Sequence, residues 1–307
     1  MFDVYTLATQ LVGGVILILL ANVVSIKSRG VPKTLQRILS SLIDFIQATF
    51  GSKKNDQQGI PLTRAQVTAA FPEGTWQRNA YEDYKAVLLD EELVFPCVYA
   101  TKGFKSDDQL YLFVDSDDLS DPRHIRTIAK GLSIYLPQAR QLGPNTSLVL
   151  LAKQNEVNSR TIEEYNTLFW ELLNGLAKLD DKPWPSDIPR DIDTDRWCFC
   201  FGGEQFFTVI QTPAHQVRRT RYAPGVTMVM QPKWIFDILF STDAKRAGAL
   251  SKVRALLAKY DPIPVSPELK NYGDEGSRES KQYYLLDENV PAPCPYERLS
   301  DSELIAP

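Results

Sequence analysis

Histidine is scarce in this chain: two in 307 residues, with four cysteines and three methionines. Two histidines exclude a His-rich metal centre, and four irregularly spaced cysteines exclude a disulfide scaffold. No excess of one charge is present either, because 34 Lys and Arg face 38 Asp and Glu for a formal charge of −4. That balance carries no electrostatic footprint for nucleic acid. The usual catalytic signatures are missing as well: no phosphate-binding loop, dinucleotide glycine pattern, nucleophile elbow or zincin helix. What remains is ordinary for a chain that buries a core, with 44% hydrophobic and 10% aromatic residues. Wholesale disorder is thereby excluded.

One long hydrophobic run stands apart. From Tyr5 to Ile26 no residue is charged, and a bilayer core of about 30 Å needs roughly 20 such residues as helix. No basic region precedes the run, which argues against a secretory signal. Lys27, Arg29, Lys33 and Arg37 follow it, so the positive-inside tendency predicts a single-pass membrane anchor over residues 1–30 with the bulk of the chain cytosolic. Leu35, Ile38, Leu39, Leu42, Ile43, Ile46 and Phe50 recur at helical spacing. They predict an amphipathic helix, lying at the membrane or packed on the body, that leads into a polar linker; together these occupy residues 31–60.

Residues 61–307 read as one body. Helix in two pieces is expected over Leu62–Leu89, broken at Phe71-Pro72-Glu73-Gly74. Leu93–Ala100 and Gln109–Val114 read as a hairpin, Thr146–Ala152 as a buried strand, and WCFCF with QFFTVIQ as a hairpin about Gly202-Gly203. A strand is expected at Thr227–Gln231 and a short one at Tyr283–Leu286. Helices are expected over Arg123–Leu136, stopping before Pro137, from Ser159 to near Asp180, and at Trp234–Phe240 and Ala244–Tyr260. The fold class is α+β, with a mixed, largely antiparallel sheet and flanking helices.

Three features carry possible chemistry. Cys198 and Cys200 form a C-x-C pair whose thiols share one face of a strand, and paired core cysteines account for them without a metal. The turn TPAHQVRRTR places His215 beside Arg218, Arg219 and Arg221. Arginine forks suit carboxylates and phosphates, and a neutral imidazole can ligate iron or move a proton; a solvated basic turn is the plainer account. Cys97, after Phe95-Pro96, is either a structural cysteine or a thiolate ligand to haem iron. His124 reads as a helix-start residue.

The stretches FPCVYATKGF, IEEYNTLFWELLNGLAKLDDKPWPSDIP, WCFCFGGEQFFTVIQTPAHQVRRTR, QPKWIFD and SRESKQYYL resemble the YqcI/YcgG family, from about Arg64 to Asn289. That family includes a haem-dependent N-hydroxylase of guanitoxin biosynthesis. The resemblance implies a haem (iron) monooxygenase acting with O2 on an amine, guanidine or amino-acid-like substrate, fed electrons by a separate reductase. It implies Cys97 or His215 as axial ligand and Arg218, Arg219 and Arg221 as holders of propionates or of an acidic substrate group. Trp184 and Trp197 are expected as pocket walls. Cys97 matches the family's FPC element. Thr212 stands where the guanitoxin-type branch has a histidine before the proline, and His215 follows Pro213 instead. A non-catalytic haem or small-ligand carrier at the membrane is the alternative implied function. A basic loop docked on acidic lipid is a third reading, for which the runs of basic residues are short.

Overall fold

The computed structural model describes residues 58–154 and 160–294, and the expected anchor, amphipathic helix and linker lie outside them, apart from the last few residues before 61. Among the described residues no helix is long and apolar enough to cross a membrane.

Helix α1 (Arg64–Ala70) opens on a capping box between Thr63 and Gln66 and stops at Phe71 before Pro72. Helix α2 (Trp76–Leu89) opens on Thr75, whose hydroxyl accepts from the Arg78 amide. Helix α3 (Val98–Lys105) comes next, then strand β1 (Gln109–Val114). Helix α4 (Pro122–Leu142) crosses to strand β2 (Ser147–Ala152), and helix α5 (Ile162–Leu179) follows. Strands β3 (Phe199–Phe201) and β4 (Glu204–Gln211) form the expected hairpin. Gly202 and Gly203 turn it with φ of 64° and 78°, the left-handed pair that a two-residue hairpin requires. A 3-10 turn (Arg219–Arg221), strand β5 (Thr227–Pro232), helices α6 (Trp234–Leu239) and α7 (Asp243–Tyr260), and a short helix α8 (Ser280–Tyr283) complete the body.

The five strands lie in the order β1-β2-β5-β4-β3. Only β1 and β2 are parallel, joined by the α4 crossover. The sheet is therefore mixed and largely antiparallel, as the sequence predicts. Period-two alternation divides its side chains between two cores. Leu110, Leu112, Leu148, Leu150, Met228, Met230, Phe206 and Ile210 face α4 and α5. Tyr111, Val149 and Leu151 face Val67, Tyr81, Tyr84, Leu88 and Phe104 of α1, α2 and α3. Each fully buried Leu, Val or Phe contributes about 1.5–3 kcal/mol through surface removed from water.

Four expectations need correction. Leu93–Ala100 is not a strand: Asp90 caps the amides of Glu92 and Leu93, Pro96 turns the chain, and α3 begins at Val98. A short apolar run does not distinguish strand from helix, and here Phe104 settles it by packing on Tyr81 and Tyr84. Gly103 permits this seat, because a Cβ there would lie 2.3 Å from the Asn145 carbonyl oxygen. Helix α4 runs through Pro137 to Leu142; Leu132, Tyr135 and Ala139 keep the buried stripe continuous, and the Tyr135 hydroxyl meets Thr146 Oγ1 at 3.0 Å. That tertiary anchoring outweighs a helix-interior proline, which costs about 3 kcal/mol. Helix α5 begins at Ile162 rather than Ser159, opened by a capping box of Thr161 with Glu164. Finally, Tyr283–Leu286 is the end of α8 and an extended segment without a ladder partner; side chains from the basic turn take up its carbonyls, as described below.

Candidate functional site

The C-x-C pair behaves as the strand period predicts. Cys198 and Cys200 are buried beside Ile188, while Trp197, Phe199 and Phe201 enter the main core. Contact between the two thiols holds Cys198 below and Cys200 above the usual thiol range. Trp184 donates its indole N–H to the Ile188 carbonyl at 2.9 Å. Trp197 is packed against Trp170 and Tyr283. His124 lies in the first turn of α4, its Nδ1 2.6 Å from the Asp118 carbonyl oxygen.

The turn from Thr212 to Arg221 is built inward rather than solvated. His215 is 1% exposed. Its Nδ1 lies 2.8 Å from Thr212 Oγ1 and its Nε2 2.8 Å from the Leu285 carbonyl. A carbonyl only accepts, so Nε2 carries the proton and Nδ1 receives the Thr212 hydroxyl. Burial holds the imidazole below its ordinary pKa, in the neutral form. Arg218, also 1% exposed, donates Nε to Leu286 O at 2.7 Å and Nη2 to Asn289 Oδ1 at 2.8 Å. Its Nη1 lies 3.9 Å from Asp261. Asp287 accepts the amides of Gln216, Val217 and Arg218 at 2.7–3.0 Å. Burial works against its charge, but those three N–H groups prevail and hold its carboxyl below the usual range. From the end of α7, Asp261 accepts both the amide and the hydroxyl of Thr220 at 2.8 Å. Arg219 is exposed.

Arg221 differs from its neighbours. It is 8% exposed, and it donates Nη2 to the Gln282 carbonyl at 2.9 Å. Its Nε is buried and has no hydrogen-bond partner among the described residues. Burial first, and Arg218 second, lower its pKa to about 10. Cys97 faces it electrostatically, each favouring the other's charged form. The sequence places these two residues far apart; the fold brings them together.

Cys97 occupies the N-cap position of α3. Burial pushes its thiol up, while the amides of Ala100 and Tyr99 and the Arg221 guanidinium favour the thiolate. One turn on, Thr101 Oγ1 is buried without a partner among the described residues. Beside this corner lies a small cleft with a cavity volume of about 30 Å³, room for little more than a water molecule or two. Its walls include Tyr84 and Leu88 of α2, Phe95, the strand ends Ala152, Gln211 and Thr227, and Tyr222. Cys97 and Arg221 do not line it themselves, but Phe95 and Tyr222 tie it to them along the chain. Trp184 and Trp197 are not among its walls.

The fold thus gathers Cys97 with Arg221 and leaves His215 and Arg218 as struts between the turn and the segment after α8. Sequence reasoning missed Asp261 and Asp287, the carboxylates that order the turn, and the cleft residues Tyr84, Gln211 and Tyr222. No motif marks them, because each acts through a partner roughly 40 or more positions away or across the sheet.

The half-buried Cys97 and the buried Arg221 thus sit near a small cleft in a five-stranded α+β body. The chain belongs to the YqcI/YcgG family, whose pattern matches residues 84–297. It is 37% identical to "Uncharacterized protein YcgG" of Bacillus subtilis (strain 168) over 232 residues, 74% of this chain and 90% of that one. It is 34% identical to "Uncharacterized protein YqcI" of the same strain over 229 residues, 74% of this chain and 89% of that one. A third relative, "Putative N(omega)-hydroxy-L-arginine synthase DcsA" of Streptomyces lavendulae, is 31% identical over 219 residues, 70% of this chain and 80% of that one. No solved structure matches the chain.

Proposed function

We propose that the protein is a haem-dependent N-hydroxylase of an amine, guanidine or amino-acid-like compound, with Cys97 as the iron ligand. The observation that carries this reading is the Cys97–Arg221 corner. Cys97 stands half-buried at the N-terminus of α3, where the Ala100 and Tyr99 amides and the Arg221 guanidinium favour its thiolate against the effect of burial, as a metal-bound thiolate requires. His215 fits less well, since both ring nitrogens are already hydrogen-bonded within the fold. The named activity of the Streptomyces relative supports the reaction class and an amino-acid-like substrate.

Bound haem supplies oxygen activation: one atom of O2 enters an N–H bond to give N–OH, and the other leaves as water with two electrons and two protons. The chain's own residues do the rest. Cys97 would hold the group, the α3 amides would favour its thiolate, and Arg221 would offer its unpartnered Nε–H to a propionate or a substrate carboxylate. Leu88, Phe95 and Ala223 give the adjoining small cleft apolar walls. Reducing equivalents come from a separate electron donor, since the sequence carries no nicotinamide or flavin fingerprint. The uncharged run Tyr5–Ile26 carries the further proposal that the enzyme is tethered to a membrane with this body in the cytosol.

The test is to purify the full chain in detergent after expression with haem supply, and to assay pyridine haemochrome. The outcome expected is one haem per chain and, with reductant and O2, an N-hydroxylated product from L-arginine or a related guanidine. Absence of haem after reconstitution overturns the reading.

A further inference from the structure

The outer strand of the sheet, β3, carries chemistry that the Cys97 corner does not use. One face of the segment sends Trp197, Phe199 and Phe201 into the main core. The other presents Cys198 and Cys200, both free thiols and both buried. Polar groups gather at the first of them. Cys198 Sγ lies 3.5 Å from Gln205 Oε1 and 4.0 Å from the Tyr272 phenolic oxygen. Over the Tyr272 ring stands Lys233, its Nζ 3.0 Å from the centroid, and Lys233 is paired with Glu279 at 2.9 Å. Both members of that pair are buried, an arrangement that adds little net stability. Its cation favours charge on the Cys198 sulfur, as does the Cys200 thiol in contact with it. The charged form of Cys200 is opposed instead, by Cys198, by burial and by Asp187 and Asp180. The two thiols are therefore unequal, one suited to attack and the other to resolve.

The cover over the pair is light. Ile188, Trp184 and Tyr272 pack on it, from residues 180–198 and 261–279, which hold neither helix nor strand. Two hydrogen bonds clip these segments together beside the thiols, Tyr272 Oη to Arg196 O at 2.6 Å and Gly273 N to Asp195 O at 3.1 Å. Irregular segments held by few bonds open locally at a fraction of the global cost. Strand β3 is only three residues long and pairs on one side alone, with β4. Cysteines two apart on an extended strand have Cα atoms about 6.6 Å apart, at the long end of what a disulfide spans. A short edge strand can pucker enough to close that gap.

We infer that Cys198 and Cys200 are a redox-active dithiol that a hydroperoxide converts to an internal disulfide, with Cys198 attacking and Cys200 resolving. The site is separate from the Cys97 corner and does not depend on haem. The Cys198 thiolate attacks hydrogen peroxide: an S–O bond forms, the O–O bond breaks, sulfur loses two electrons, and the leaving hydroxide takes a proton to become water. Cys200 then attacks the sulfenic sulfur, forming the S–S bond and releasing the second water. Two thiols and one peroxide give one disulfide and two waters.

The experiment uses the full chain in detergent, reduced, freed of reductant and exposed to hydrogen peroxide. Remaining thiols are then alkylated under denaturing conditions and the peptides weighed. The expected result is loss of two hydrogens from the peptide that holds both cysteines, reversed by dithiothreitol. Cys200→Ser should stop at a sulfenic acid on Cys198, trapped by dimedone. Cys198→Ser should label Cys200 about tenfold more slowly or not at all, the effect of one pKa unit between the thiols. The parent's mass shift decides the pairing without any variant. Thiols that stay free in the folded chain, oxidation that begins only after urea has unfolded it, or bridges from either residue to another cysteine overturn the inference. So does a dimedone adduct that forms faster on Cys200 in Cys198→Ser than on Cys198 in Cys200→Ser.

Discussion

Two neighbouring arginines of the turn between β4 and β5, Arg218 and Arg221, are held in opposite ways. Arg218 is enclosed by acceptors: Leu286 O, Glu288 O, Asn289 Oδ1 and the Asp261 carboxylate. Arg221, also buried, has Gln282 O and a buried Nε with no partner among the described residues. A buried donor left unmade costs about 1–3 kcal/mol, so folds rarely retain one without a use. The first arginine is a strut. The second has a bond to give.

Substitutions sharpen this contrast. The largest effect is expected at Cys97: Cys97→Ser should abolish haem retention or replace its spectrum altogether, read as the Soret band of purified protein. Arg218→Met comes next. Removing one partner of a buried, hydrogen-bonded charge leaves Asp261 and several carbonyls unanswered, at about 3–5 kcal/mol, measured by urea unfolding. Arg221→Met should cost about 1 kcal/mol or less in the haem-free protein, because the charge removed was poorly compensated. If the two variants lose equal stability, the division into strut and ligand donor is wrong.

The smallest effect is a pH dependence at His215. The folded imidazole lies below its ordinary pKa of 6.5 through burial. Between the folded value and 6.5 the unfolded chain therefore binds a proton that the native state does not. The resulting stability is complete above about pH 6.5 and is lost as pH falls toward the folded value. Urea midpoints between pH 5 and 7 should fall with acidification, and His215→Gln should flatten that slope relative to the parent. An unchanged slope would mean that His215 is not held neutral.

The contrast also marks what a linear sequence can disclose. Short apolar runs were enough to place β1, β2, β4 and β5, and the glycine pair marked the β3–β4 turn. Cys198 and Cys200 fell on one face as the strand period requires. The run Leu93–Ala100 was misread because Phe104 and Gly103 decide its conformation through contacts with α2 and Asn145. The basic turn was legible as a cluster of arginines. Which of them is free was not, because Asp261, Leu286 and Asn289 approach Arg218 from roughly 40 to 70 positions away.

The central claim is that Cys97, and not His215, holds the iron. Its most direct test is the CO-difference spectrum of the reduced full chain beside Cys97→Ser and His215→Gln. The account predicts a thiolate-type Soret band in the parent and in His215→Gln, and its loss in Cys97→Ser. An imidazole-type band that survives Cys97→Ser and disappears in His215→Gln would contradict it.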